Sequence, residues 1–391
     1  MKEATMPQPA RSAQAPDTVQ ALDAVIHDVV APLAQQVDRE GAFPREGMRA
    51  LAAAGGLGLL SATEFGGADA DLRQAAGVVE RLAGACGSTA MVLLMHYAAV
   101  AAIEAHGPDT VRRAVAEGRH LSTLAFSEQG SRSDFWAPVS TAVADGTDEV
   151  LLNARKSWVT SAGEADSYVW SSRPLRAAGP MTLWLVPSDS PGLDVHGDYD
   201  GFGLRGNASS PVGAKDVRIP VTARLAADGE GLSTALELVL PRFLVLNAAF
   251  CLGVSEALLA LAADHLRTTR LEHLGQSLAE QPHARREYAL TRLRADAVRA
   301  FLDDTLAALD TGRRDATLRV LQVKALAAET TAEVADTVMR LCGGSAFRRD
   351  WGVERRFRDA LAARVMAPTT EALHDFCGRA GLGLPLFEEA R

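Results

Sequence analysis

Apolar residues recur at three- and four-residue intervals near the start of the chain. Val19, Leu22, Val25, Ile26, Val29 and Leu33 paint one stripe, as an amphipathic helix requires. A short helix is expected over 45–54, ended by Gly55-Gly56 and the loop 64–67. Helix returns from about Leu72 to Ala105 and stops at His106-Gly107-Pro108. Between about His120 and Ala227 the pattern shortens to β-prone runs such as Val150-Leu151-Leu152, Tyr168-Val169-Trp170 and Leu183-Trp184-Leu185-Val186. Turn chemistry at Asp145-Gly146 and Pro191-Gly192 separates them. Beyond Gly231 the helical period resumes in four long stretches, 233–270, 282–309, 316–341 and 354–380, joined by short loops. The pattern predicts an α+β chain, mostly α. It comprises a flexible tail over 1–17, an N-terminal helical domain over 18–119, a middle antiparallel β-domain over 120–228 and a C-terminal four-helix bundle over 229–391.

Composition narrows the function. A net charge of −9 disfavours a nucleic-acid backbone as partner, because that surface calls for clustered cations. No uninterrupted apolar run approaches the roughly 20 residues of a bilayer span, so no membrane segment is expected. The first 17 residues, rich in Ala, Pro and Gln, lack an apolar signal core. The four cysteines (Cys86, Cys251, Cys342, Cys377) have no C-x-x-C spacing and read as reduced thiols of a cytoplasmic protein.

Two segments of the β-domain carry candidate chemistry. Leu124 to Asp134 is a Ser- and Gly-containing loop whose N–H groups and hydroxyls suit an anionic group, or serve as a plain polar turn. In Lys156-Ser-Trp-Val-Thr160, strand alternation puts Trp158 and Thr160 on one side, an indole and a hydroxyl for a flat heterocycle; ordinary core packing is the other reading.

Together these segments resemble the acyl-CoA dehydrogenases. Ser127-Glu-Gln-Gly-Ser-Arg-Ser-Asp134 resembles that family's TEPxAGSD loop, and Lys156 to Asp166 its KxWITNAxxAD segment. Phe202-Gly-Leu-Arg-Gly206 with Ala214 to Pro220 is similar to GxRGSxT…FxDVxVP. Met339-Arg-Leu-Cys-Gly-Gly344 and Val353-Glu-Arg-Arg-Phe-Arg-Asp359 are similar to QxxGGxG and VERxYRDA. The resemblance implies FAD, with Phe126, Ser127, Trp158 and Thr160 around its ring, the Thr160 hydroxyl near N5, and Ser133 toward the pyrophosphate. It also implies a cofactor site shared between subunits of a homodimer or homotetramer. The neighbouring subunit would supply Arg270 and the pair Gly343-Gly344, with Arg340 standing where the family has Gln. Thr369 aligns with the threonine of the family's EGTS loop. The implied substrate is an acyl thioester on CoA or an acyl-carrier protein, with an electron-transfer flavoprotein or oxygen as electron acceptor.

One family residue is missing. The glutamate that takes the α-proton corresponds to Ala367, and a minority site on the first bundle helix corresponds to Pro241, beside Arg242. Glu371 and Glu237, each four residues from those positions, are candidate replacements. Besides a catalytically silent scaffold relative, the alternative is a flavin monooxygenase on the same fold, since the related monooxygenases need no such base. Their RTHTLHDP loop shares Leu-His-Asp with residues 373–375, which makes His374 a candidate catalytic residue beside the flavin. Arg132 replaces a glycine of the AGSD loop and would recharge the pocket entrance. His96, on the helix bordering the substrate pocket in such proteins, reads as core.

Overall fold

The computed structural model describes residues 15–131 and 134–387. Its N-terminal domain comprises α1 (Ala15–Val25), α2 (Ala31–Glu40), α3 (Arg45–Ala53), α4 (Leu72–Ala85), α5 (Gly87–His106) and α6 (Asp109–Ala116). Most of the expected tail lies outside the described residues; Ala15 already begins α1. Asp71 caps α4 by accepting from the Gln74 N–H, while the Gln74 side chain accepts from the Asp71 N–H. α5 is apolar on every side and is buried from Gly87 to Ile103.

The middle domain holds two four-stranded sheets. One runs in the order β1 (Ser122–Ala125), β4 (Ser167–Ser172), β5 (Thr182–Pro187), β8 (Arg224–Leu225). The other runs β2 (Thr141–Asp145), β3 (Glu149–Val159), β7 (Ser210–Pro220), β6 (Leu193–Val195). The Asp145-Gly146 turn joins β2 to β3 as expected. The domain is not wholly antiparallel, however. β1 arrives directly from the helical domain and pairs in parallel with β4, Ser122 opposite Ser167.

In the bundle, α7 (Gly231–Thr234), a π-turn over Ala235–Val239 and α8 (Leu240–Thr268) form one continuous helix. Pro241, which has no N–H to give the preceding turn, follows the wider turn directly. The short pair β9 (Arg270–Leu271) and β10 (Gln276–Ser277) leads to α9 (Pro282–Asp310) and α10 (Ala316–Cys342). The fourth expected helix is broken instead into α11 (Val353–Ala360), α12 (Ala362–Val365) and α13 (Thr370–Leu382). Pro368 disfavours helix at the residue before it, so Met366 to Thr369 cross as a bent, non-helical segment.

α11 helps to hold the domains together. Arg358 of α11 donates to both carboxylate oxygens of Asp38 on α2 (2.9 and 2.5 Å), to Glu354 (2.7 Å) and to the Phe202 carbonyl (3.0 Å). Asp359 accepts from the Leu204 N–H at 2.7 Å. Gly203 is required there, since a Cβ would come within 2.5 Å of the Arg358 carbonyl oxygen. By length and composition alone, α5 and the helix Gly231–Thr268 are apolar enough to cross a bilayer, a test that a buried core helix also passes. Yet 89% and 78% of their most apolar windows are buried inside the protein.

His96 is a fully bonded core histidine. Nε2 donates to the Leu57 carbonyl at 3.0 Å and Nδ1 accepts from the Ser122 N–H at 3.1 Å, which makes it neutral. Burial lowers its pKa from 6.5 to about 4. Below pH 6.5 the unfolded chain takes up a proton that the folded chain refuses. The stability gained is therefore complete above 6.5 and lost as pH falls toward 4, about 3 kcal/mol in all. Urea unfolding at pH 7, 5.5 and 4 should show this loss, and His96→Gln should flatten that part of the profile. Equal slopes in both proteins would refute the assignment.

Candidate active site

A cleft of about 1110 Å³ opens between the β-domain and the bundle. Its β-wall begins where β1 runs out into Phe126 and Ser127. The next residues pair with β3: the Gln129 N–H donates to the Arg155 carbonyl at 2.9 Å, and the Ser157 N–H to the Ser127 carbonyl at 3.0 Å. β3 then bulges between Lys156 and Val159. Trp158, at the bulge, has a left-handed backbone (φ 56°), uncommon for a bulky residue, and its side chain is 70% exposed. Thr160 lies one residue past the strand, so simple alternation does not relate it to Trp158. The bulge nonetheless brings both to the cleft. The Thr160 hydroxyl shares a hydrogen bond with Ser209 at 3.2 Å.

Behind this wall sits a buried ion pair that sequence reasoning missed. Lys156 Nζ donates to Glu128 (2.5 Å), the Ser171 carbonyl (2.7 Å) and the Ser171 hydroxyl (2.9 Å), with the Trp170 ring 5.1 Å away. Glu128 also accepts from the Val139 N–H (2.6 Å), the Ser140 N–H (2.8 Å) and the Ser140 hydroxyl. Burial pushes the Glu128 carboxyl up, but the Lys156 charge and these donors outweigh it and hold it below the usual carboxylate range. Both partners lay within the quoted motifs; their pairing is a tertiary contact that spacing does not announce.

The opposite wall is apolar. Met95 of α5, Ala235, Val239, Leu240 and Phe243 of the π-turn and α8, and Val365 to Pro368 line it. Lys324 on α10 supports that last segment, donating to the carbonyl oxygens of Met366 (3.1 Å) and Pro368 (2.9 Å). Its signal was present in the sequence, since Lys324 interrupts the buried series Val320, Leu321, Val323, Ala327, Ala328. The Met366–Ala367 peptide is trans, so its N–H points opposite to its carbonyl. With the carbonyl turned to buried Lys324, the Ala367 N–H is directed away from Lys324; Ala367 itself lines the cleft, and no residue among those described accepts from its N–H.

Phe126, Ser127, Trp158, Thr160 and Ala367 thus meet in one cleft. The other expected residues stand elsewhere. Ser133 and Arg132 lie outside the described residues. Thr369 caps α13, accepting from the Ala372 N–H, and does not line the cleft. Arg270 is exposed and donates to the Gly275 carbonyl; Arg340 is exposed and pairs with Asp336 at 3.1 Å. Gly343 and Gly344 are exposed with open space around them. This cleft recruits none of these four. α13 turns Leu373 and Phe376 inward, which leaves His374 exposed and outside the lining of this cleft. Glu371 and Glu237 are likewise exposed and outside it. Pro241 does not line it either, and the Arg242 guanidinium turns back to the Leu238 carbonyl at 2.9 Å. Glu128 is the one carboxylate among the lining residues, and Lys156 holds it.

Comparison with known proteins agrees with this architecture. Family models match all three parts: acyl-CoA dehydrogenase N-terminal domain over residues 14–118, middle domain over 123–217 and C-terminal domain over 229–382. The probable acyl-CoA dehydrogenase YngJ of Bacillus subtilis is 26% identical over 354 residues, 88% of this chain and 91% of the relative. The butyryl-CoA dehydrogenase structure from Megasphaera elsdenii superposes with a TM-score of 0.88 at 21% identity, covering 96% of this chain and all of that one. The prolyl acyl carrier protein oxidase AnaB superposes with a TM-score of 0.86 at 19% identity, covering 96% and 100%.

Proposed function

Because the chain belongs to the acyl-CoA dehydrogenase family, whose members bind FAD, we propose that its cleft oxidises an acyl thioester without a side-chain carboxylate as base. The residues present suit the cofactor. An indole left 70% exposed at a strained backbone position is a costly arrangement unless a flat ring covers it. Trp158, Thr160, Phe126 and Ser127 would hold that ring. Bound FAD supplies the two-electron oxidation.

The observation that carries the thioester reading is the Ala367 N–H. It belongs to a residue of the cleft's apolar wall and has no acceptor among the described residues, and a thioester carbonyl oxygen in the cleft would satisfy it. Such a donor stabilises the charge that builds on the oxygen as the α-proton leaves. With Glu128 committed to Lys156, that proton passes to water, and the cleft serves substrates whose α-C–H is already acidic. The thioester is carried by CoA or an acyl-carrier protein, with an electron-transfer flavoprotein or oxygen as the electron acceptor. Exposed Arg270, Arg340, Gly343 and Gly344 suit a neighbouring subunit's cofactor in a homodimer or homotetramer. The oxygenase reading leaned on His374, which is exposed and does not line the cleft.

The test is anaerobic mixing of the oxidised holoprotein with acyl thioesters of graded α-C–H acidity. Flavin absorbance should bleach slowly, faster with the more acidic substrates, and in proportion to added formate or acetate, which can enter where Ala367 leaves room. No bleaching with any thioester, with or without the small carboxylate, would end this reading.

A further inference from the structure

Lys324 is a buried cation without an anionic partner. Its side chain is fully buried, its two recorded acceptors are main-chain carbonyls, and it forms no ion pair among the described residues. Burying an ammonium costs several kcal/mol, and a neutral amide could cap two carbonyls more cheaply. The charge therefore calls for a use beyond support. One acceptor, the Met366 carbonyl, belongs to the peptide whose N–H is that of Ala367, a cleft-lining residue, and that N–H has no acceptor among the described residues. An ammonium bonded to a peptide oxygen draws density through the amide and strengthens its N–H as a donor.

We propose that Lys324 is a positioning residue that polarises the Ala367 N–H toward the carbonyl oxygen of a bound acyl thioester. The inference rests on the thioester reading and adds to it the source of the donor's strength. No bond is made or broken at Lys324. Its ammonium has three hydrogens and uses two, so a deprotonated Lys324 could still hold both carbonyls while losing its charge. The titratable groups that bear on it are Cys251 of α8, Glu371 of α13 and Glu329 of α10 itself, which Arg364 of α12 binds at 2.8 Å. Cys251 is neutral, its thiol pushed up by burial to about 12. Burial brings the Lys324 ammonium down to about 8, which puts loss of its charge within reach of a pH series.

The probe is a series of 2,2-dimethylacyl-CoA ligands labelled with ¹³C at the carbonyl. They have no α-hydrogen to lose, and infrared spectroscopy of the holoprotein reads the carbonyl stretch directly. In the native protein the stretch should be red-shifted on binding, and the shift should fade as pH rises through about 8. Lys324→Gln, which keeps two donors without the charge, should bind roughly five- to tenfold more weakly with a smaller shift and no step at that pH. Lys324→Met should lose the shift and loosen the segment, read as faster hydrogen exchange over 366–370. A ligand that binds with the same shift in native protein and Lys324→Gln overturns the role of Lys324 and leaves the thioester reading standing. Failure of every ligand to bind native holoprotein overturns both.

Discussion

Ala367→Glu is expected to raise anaerobic flavin reduction by acyl-CoA roughly 10²–10⁴-fold, the usual contribution of a positioned general base. The new carboxylate would enter a wall made of Met366, Val239, Leu240 and Phe243, where a dry setting raises its affinity for a proton. Lys324 already holds the segment that carries it, so the backbone needs no rearrangement. The gain should abolish the benefit of added formate or acetate, because the space that they use is filled. Rapid-mixing absorbance on both proteins measures the two effects together. If the variant binds thioesters but stays as slow as the parent, the cleft has lost more than its proton acceptor.

Lys156→Met should cost about 3–5 kcal/mol of stability, because it leaves the Glu128 carboxylate buried without its cation. The consequence reaches the cofactor wall. Glu128 sits next to Ser127 and Lys156 two residues before Trp158, so breaking the pair frees both edges of the surface that would hold the ring. FAD affinity should fall in the same variant. Adding Glu128→Gln removes the stranded charge and should recover most of the stability. Urea unfolding of the single and double variants measures this directly; a Lys156→Met protein as stable as its parent would show that the pair fastens nothing.

Much of this was legible in the sequence because it depends on local pattern. The three-part order, the Asp145-Gly146 hairpin and the placing of Phe126, Ser127, Trp158 and Thr160 on one surface followed from periodicity, turn chemistry and motif. What failed depended on long-range contacts. β1 looked like part of an antiparallel set, yet its partner is decided by β4, more than forty residues on. The stretch 354–380 has helical composition throughout, and only the break at Pro368 carries Ala367 into the cleft. Three matching letters at 373–375 say nothing of which way His374 faces; the inward packing of Leu373 and Phe376 decides that. The Lys156–Glu128 and Lys324 contacts join residues 28 and more than 40 positions apart, so that even where a lysine in an apolar series marks itself, its partner does not.

The central claim is that a flat redox ring is held against Trp158 and Thr160 between the β-domain and the bundle. FAD titration into apoprotein, followed by the change in flavin fluorescence, tests it in native protein, Trp158→Phe and Trp158→Ala. The account predicts firm binding by native protein, an intermediate affinity for Trp158→Phe, and a loss of roughly 10- to 100-fold for Trp158→Ala, as stacking worth about 1–3 kcal/mol implies. Equal affinity in Trp158→Ala, or no FAD binding by the native protein, would contradict it.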